Sequence, residues 1–527
     1  MAQAHKVSES WQRTAAIRQC ILVFAAACLL LPAYASAQSC AGVASTTVGA
    51  VTWTPQWCEE FNGSLGSPNT ATWNFDLGNN NGWGNSELEI YCGPPGYPNN
   101  PAQCSTNLDP TTANAYIDGS GHLVIQAFKI NNSNPAAVGG WTSTRMNTST
   151  SPIPTTFSYG RIEAREMLPV GAGLWPAFWA LGGNIATVSW PACGEIDFME
   201  NVPISGGLGP NQIASTLHGG NSSSNCYCGG NGLSKKYTFP GGSDVTSFHV
   251  YGAIWSPNMI QFYVDDPSNV FSIRTASDVP AGLQWDFNHS FFVLTNLAVG
   301  GGFPGPPDAN TPSPARMMVD YVRAFAPSLV TPPNLGNPSA ITVKAGATTG
   351  NTSTINLTGT SGSGRVYLAC VLSSTIVKAS CQINTGNALN GNVVNFINST
   401  TAIATVTVIT TSNSTLPPFF FAPIMRPGIL VASAALIMMF IAALVIRLAR
   451  ALHPTSNRMV FAALALATFI ILIASCGGGG GYGGGGSNPV PSGGTTPGVY
   501  LVTVNAYTVS GNGITPDATT TINVTVN

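Results

Sequence analysis

Residues 195–200 read Glu195-Ile196-Asp197-Phe198-Met199-Glu200, three carboxylates set in an otherwise apolar run. Acids are scarce here, with 21 Asp and Glu in 527 residues. An apolar run of this kind is a strand crossing a core. Side chains alternate along a strand, so Glu195 and Asp197 share one face. Glu200 would then point into the hydrophobic layer, where a lone carboxylate costs several kcal/mol. A one-residue bulge between Asp197 and Glu200 returns Glu200 to the acidic face. Ile196 and one of Phe198 and Met199 then fill the core side.

The rest of the chain supports a β architecture. Charged residues are only 8%, against roughly 25% in ordinary globular chains, so long amphipathic surface helices are disfavoured. Gly (58) and Pro (38) are frequent, as in turn-rich β proteins. Net charge is −2, and no basic stripe is available for phosphates, which argues against nucleic acid as a partner. Strand-like runs recur over residues 38–326, among them 122–127, 160–165, 248–255, 260–264, 291–297 and 317–325. They predict an all-β, two-sheet sandwich of the jelly-roll kind.

Residues 1–37 read as a secretory signal: Lys6, Arg13 and Arg18, an apolar stretch from Ile21 to Leu31, and Ala35-Ser36-Ala37 as cleavage site. Ten cysteines remain after it. Proximity suggests Cys40–Cys58, Cys92–Cys104 and Cys370–Cys381 as disulfides, with Cys226 and Cys228 structural or paired with Cys193. Residues 327–338 read as a Pro- and Asn-rich linker. Residues 339–415 alternate Thr, Val and Ile, like part of a small immunoglobulin-like sandwich. Residues 429–446 and 459–475 are apolar and long enough for a two-helix transmembrane hairpin, with Arg447, Arg450, His453 and Arg458 between them facing the cytoplasm. Leu472 to Cys476 also looks like a lipoprotein-processing box. A Gly-rich linker covers 476–497, and 498–527 alternates again, as the last strands of the interrupted sandwich or as strands pairing elsewhere. The expected location is outside the cytoplasm, anchored to the membrane.

Three acids lining one groove suit the cutting of a glycosidic bond. One carboxylate attacks the anomeric carbon, and a carboxylic acid about 5–5.5 Å away protonates the leaving oxygen in retaining enzymes. Like charges close together raise one pKa and keep an acid available near neutral pH. A calcium loop would alternate its acids with Gly and Asn rather than Ile, Phe and Met.

The hexapeptide resembles the E-x-D-x-x-E signature of glycoside hydrolase family 16 in its bulged, laminarinase-like form. Trp57–Gly63, Gly82–Tyr91, Gly160–Arg165, Gly173–Trp179, Ser215–Gly219, Asn296–Gly301 and Val319–Arg323 follow the family's order. The resemblance implies a concanavalin-like jelly roll and a retaining endo-acting hydrolase of β-1,3- or mixed β-1,3/1,4-glucan. It implies Glu195 as nucleophile, Asp197 as its assistant, Glu200 as acid/base and His218 beside Glu200. Trp175, Trp179 and Trp190 would stack on sugar rings, and Asn85, Glu87 and Arg165 would bond hydroxyls. Phe303 stands in Gly302-Phe303-Pro304-Gly305 where the family usually carries Trp. No cofactor is needed for the acid chemistry. The family often binds one structural calcium, at positions matching the carbonyls of Glu60 and Gly121 and the carboxylate of Asp320. Alternatives are a galactan (agar or carrageenan) hydrolase or transglycosylase of the same family, or a non-catalytic carbohydrate-binding surface protein.

Overall fold

The computed structural model describes residues 40–149, 155–202, 207–412, 494–510 and 515–527. The expected signal, the stretches 429–446 and 459–475, Cys476 and most of the Gly-rich segment lie outside the described residues. Among the described residues, no helix is long and apolar enough to cross a membrane. The same residues are almost wholly strand and turn, with one short α-helix at Ile185–Val188.

Two antiparallel-rich sheets of eleven and eight strands carry the N-terminal part. The smaller runs in the order Asn225–Tyr227, Gln212–Ser222, Glu195–Glu200, Leu174–Gly182, Phe291–Val299, Arg145–Asn147, Asn74–Asp76. At the centre of the larger, Gly160–Met167 lies between His249–Ser256 and Ala315–Pro327. Alternation turns one face of each sheet inward. Ile162 and Ala164 of one sheet share a core cluster with Phe178, Ala180, Ile196, Val293 and Leu297 of the other. Trp73 and Trp255 are essentially unexposed. Their indole N–H groups reach Glu59 Oε2 at 3.2 Å and the Phe287 carbonyl at 3.0 Å, as buried donors require.

A five-stranded sheet joins Ile341–Val343, Arg365–Leu372 and Val393–Asn395 to the tail strands Gly498–Tyr507 and Ala518–Val526. A four-stranded sheet holds Asn334–Leu335, Thr352–Thr358, Ala379–Asn384 and Thr401–Thr410. The tail therefore pairs with the segment that precedes it by more than a hundred residues. Residues 327–338 differ from the linker expected of their composition. Leu335 pairs with Leu357, and Val330 N donates to Ser510 Oγ at 3.0 Å.

Among the described residues, those at 40–343, 348–409 and 497–527 make one compact unit, and those at 344–347, 410–412 and 494–496 belong to another. In the first unit, the strand Met259–Val264 is buried on both faces. Ile260, Phe262 and Val264 enter the core between the sheets. On the other face, Met259 packs with Ile273, Tyr367 and Val393, while Tyr263 packs with Val51, Trp53, Phe325 and Val509. Its continuous apolar character follows from this double burial. Polar links join the same surfaces: Tyr367 OH and Ser277 Oγ lie 2.8 Å apart, Asn390 Nδ2 donates to Asp278 Oδ2 at 2.9 Å, and Arg365 Nη1 donates to Gln261 Oε1 at 3.1 Å. In the second unit, Thr495 N donates to the Thr411 carbonyl at 2.8 Å.

Cys40–Cys58, Cys92–Cys104 and Cys370–Cys381 are bonded as proximity suggested. Cys226 bonds Cys228 rather than Cys193, which is buried and free.

Two expectations follow. Tyr367→Ala removes a ring that packs the five-stranded sheet against Met259 and Ile273 of the larger sheet and destabilises by about 3 kcal/mol. Calorimetry should show one unfolding transition moved downward; two transitions, only one of them moved, would contradict the shared core. The second concerns Glu166, which is buried between the sheets and accepts from Thr295 Oγ1 at 3.3 Å. Burial pushes its carboxyl up to about 8. The folded state therefore keeps a proton that the unfolded chain sheds near 4.5, so stability is highest below pH 4.5 and falls as pH rises through 8. Glu166→Gln should flatten this slope, gaining on the order of a few kcal/mol relative to the parent between pH 5 and 9. Parallel melting curves for the two proteins across that range would contradict it.

Candidate active site

The acid strand kinks as its side-chain pattern demands. Against Leu174–Gly182, Asp197 faces Trp179 and Met199 faces Phe178, so Phe198 is the extra residue. Against Gln212–Ser222, Asp197 faces Thr216 and Glu200 faces Ala214. Glu195, Asp197 and Glu200 consequently share the outward face of the smaller sheet. Phe198 and Met199 both go to the core, one more side chain than the alternation alone required. Entry to the strand depends on Gly194, whose φ of +72° is left-handed and whose Cβ would sit 2.6 Å from the Asp286 carbonyl.

Each glutamate is held by an indole. Trp190 Nε1 donates to Glu195 Oε2 at 2.8 Å, and Trp175 Nε1 donates to Glu200 Oε1 at 3.1 Å. These bonds hold Glu195 Oε2 and Glu200 Oε1. His218 stands opposite Glu195, with Nε2 3.2 Å from Asp197 Oδ2 and 3.9 Å from Glu195 Oε1. His218 was expected beside Glu200; its cross-strand partner is Glu195, while its charge still acts to lower the pKa of Glu200. The bulge advances the register, so Glu200 faces Ala214 instead.

Burial drives the electrostatics. It pushes Glu195 up to about 8, helped by the Asp197 charge and opposed by His218 and the Trp190 N–H. Glu200 rises to about 8 by burial and then by repulsion from Asp197. Asp197 rises as well, again through burial, opposed by its hydrogen bond with Glu195. Each carboxylate that forms raises its neighbours, so the triplet titrates in steps and holds protons and negative charge together near neutral pH. Glu195, Asp197 and His218 also bring one ligand atom each within 4.8 Å of one another. Three donors fall short of the six to eight oxygens that a calcium ion takes.

The groove continues along the same face. Trp175 and Trp179, four apart on one strand, both point outward and are partly exposed. Trp179 Nε1 donates to Asn296 Oδ1 at 2.7 Å. Phe303 sets its edge against Trp175 with centroids 5.6 Å apart and planes at 85°. Asn85 Nδ2 and Tyr91 OH donate to the two oxygens of Glu87 at 3.1 and 2.9 Å. Asn79 fixes that segment by donating to the carbonyls of Glu87 and Glu89. The structure thus brings together Glu195, Asp197, Glu200, His218, Trp175, Trp179, Trp190, Asn85, Glu87 and Phe303.

Arg165 does not belong there. It alternates with Ile162, Ala164 and Glu166 and so lies on the outer face of the larger sheet, paired with Asp320. Arg145 follows the parity opposite to buried Met146 and stands beside the rings of Trp83, Tyr91 and Trp179. Its guanidinium lies 3.9 Å from the Trp83 ring centre and its Nε donates to Asp76 Oδ2 at 2.6 Å. Arg145, Tyr91 and Asn296 were missed as site residues. A basic side chain in so weakly charged a chain was the available signal for Arg145, but three residues are too few to show which face it takes.

Register brings Glu60, Gly121 and Asp320 to one edge, since Val322 faces Glu59 and Val319 faces Leu123. Asp320 Oδ2 accepts from Arg165 Nη1, and both Glu60 oxygens accept from Arg323. Of the expected calcium ligands, two carbonyls and one carboxylate, the carboxylate of Asp320 is thus shared with an arginine.

A family model described as Glycosyl hydrolases family 16 matches residues 106–322. Glucan endo-1,3-beta-glucosidase A1 of Niallia circulans is 34% identical over 287 residues, covering 51% of this chain and 37% of that protein. Beta-glucanase of Rhodothermus marinus is 32% identical over 278 residues, covering 52% of this chain and 85% of that protein. The X-ray structure of endo-beta-1,3-glucanase from Pyrococcus furiosus is 39% identical, covers 54% of this chain and 98% of that chain, and superposes with a TM-score of 0.44. The chain spans just over a third of the Niallia circulans protein, and each match covers about half of this chain. With its E-x-D-x-x-E strand inside the matched region, the chain belongs to glycosyl hydrolase family 16.

Proposed function

We propose that this chain is a retaining, endo-acting hydrolase of β-1,3- or mixed β-1,3/1,4-glucan. The observation that carries the reading is the bulged strand with Glu195, Asp197 and Glu200 on one face and an indole N–H on each glutamate. The name of the Niallia circulans protein supports a β-1,3-glucan.

In this reading Glu195 Oε1 attacks the anomeric carbon while Glu200 gives its proton to the departing glycosidic oxygen. The C1–O bond breaks and a glycosyl ester on Glu195 forms. Glu200, now a carboxylate, takes a proton from water, whose oxygen attacks C1 and frees Glu195. Trp190 holds the other oxygen of Glu195 and limits its rotation. Asp197, between the glutamates, shares a hydrogen bond with Glu195, and the neutral form of one favours ionisation of the other. The outward faces of Trp175 and Trp179 supply flat apolar surface for pyranose rings, and Asn85, Glu87 and Asn296 supply planar polar groups for hydroxyls.

We also propose that residues 1–37 direct export and that 429–446 and 459–475 attach the enzyme to a membrane. Four disulfides among the described residues support an oxidising compartment. Recovery of the full-length protein in the membrane fraction, released by detergent and not by salt, is the expected result; full recovery in the soluble fraction would contradict it.

Reducing-end release from laminarin tests the catalytic reading. Glu195→Gln should lower kcat by at least about a thousandfold without changing the fold, since the covalent route is lost. Full activity in that variant removes the assignment, and turnover of agar or carrageenan with none of laminarin would replace the substrate. The pH profile supplies a second check. Glu200 must hold its proton to act as acid, so kcat/KM should fall as pH rises through about 8. A rate that is flat to pH 10 would contradict this role.

A further inference from the structure

A bulge sets two residues of one strand against a single residue of the next. Here Phe198 and Met199 oppose Ser215, which lies between the pairs Asp197–Thr216 and Glu200–Ala214. Ser215 is fully buried, and its side chain turns toward the core side of the strand. Its Oγ donates to the carbonyl of Phe198, the extra residue, at 2.7 Å. On the far side of Glu200, Asn201 is also fully buried. Its backbone N donates to the Pro176 carbonyl, and its Nδ2 donates to the carbonyls of Gly209 and Gln212 at 3.0 and 2.6 Å. The segment Phe198–Asn201 is therefore tied at both ends by side chains, with Glu200 between the ties.

We infer that Ser215 is a positioning residue for Glu200: its hydroxyl holds the bulge that carries the acid/base onto the face of the nucleophile. This rests on the hydrolase reading above and extends it to a residue that touches neither sugar nor the two glutamates. Buried serines commonly bond main-chain carbonyls for satisfaction alone. The difference at this position is which carbonyl is bonded. Phe198 is the residue whose insertion decides the side on which Glu200 emerges. Without the hydroxyl, that carbonyl is left in an apolar layer, and the bulge is free to shift along the strand. A one-residue shift moves the carboxyl to the other face, and a displacement of about 1 Å already costs roughly a hundredfold in rate.

The test compares Ser215→Ala and Ser215→Thr in the full chain on two substrates: laminarin, whose leaving group needs a proton, and a dinitrophenyl β-glucan oligosaccharide, whose leaving group departs without one. Ser215→Ala should lower kcat on laminarin roughly tenfold to a hundredfold. KM should stay near the parent value, and the burst release of dinitrophenolate should persist at nearly the parent rate. Ser215→Thr, which keeps the hydroxyl, should recover most of the laminarin rate. Equal loss on both substrates with a lower melting midpoint would make Ser215 merely structural and overturn the inference, as would an unchanged laminarin rate. Failure of the hydrolase reading itself shows separately, as full activity in Glu195→Gln. If Ser215→Ala does not fold, Asn201→Asp provides the second variant. It alters the other tie, and its loss should again fall on laminarin alone.

Discussion

A carboxylate cannot stay ionised in a hydrocarbon layer without a partner, and the strand at 195–200 carries three carboxylates through one. Every feature of the site answers that constraint. The inserted Phe198 turns Glu200 outward, and Phe198 and Met199 take the inward places with Ile196. Outward does not mean solvated. Asp197 is 3% exposed and Glu200 9%, so burial still raises all three carboxyls and leaves them competing for protons. The same strain between charge and burial that shapes the backbone thus leaves one carboxyl protonated beside one that ionises, the pairing that two-step glycosyl transfer requires.

The surrounding architecture serves to hold that arrangement still. Indole N–H groups fix one oxygen of each glutamate, and Arg145 with Asp76, Trp83 and Glu87 with Asn85 and Tyr91 stiffen the groove beyond. Beneath the groove lies an aromatic-rich core shared by both sheets. The outer face of the larger sheet, which an isolated sandwich would present to water, is covered in part by residues beyond 360, including Tyr367, Val393 and Val509. The C-terminal strands are on this account a structural part of the same unit.

Much of the site was legible because it obeys period two. The acid strand and its bulge follow from alternation and from the cost of a buried charge, whereas the Trp175–Trp179 pair was implied by the family resemblance. Alternation fails where register matters. The cross-strand partner of His218 is Glu195, because the bulge that frees Glu200 also slides the partner of Glu200 to Ala214. Arg165 was placed in the groove although its parity puts it on the opposite surface of the molecule, where Asp320 neutralises it. Residues 327–338 read as a linker because Pro and Asn favour turns, but the pairing of Leu335 with Leu357 is long-range and leaves no local mark. Met259–Val264 gave no sign of which side it would bury, since both are buried.

The central claim is that the bulge brings Glu195 and Glu200 to one face so that cleavage passes through a glycosyl ester. The most direct measurement is proton NMR of the first-formed product of laminarin cleavage, recorded before mutarotation. The β-anomer should be present first, with the α-anomer growing in later at the rate of free sugar. Initial release of the α-anomer would mean a single displacement by water and would contradict the account.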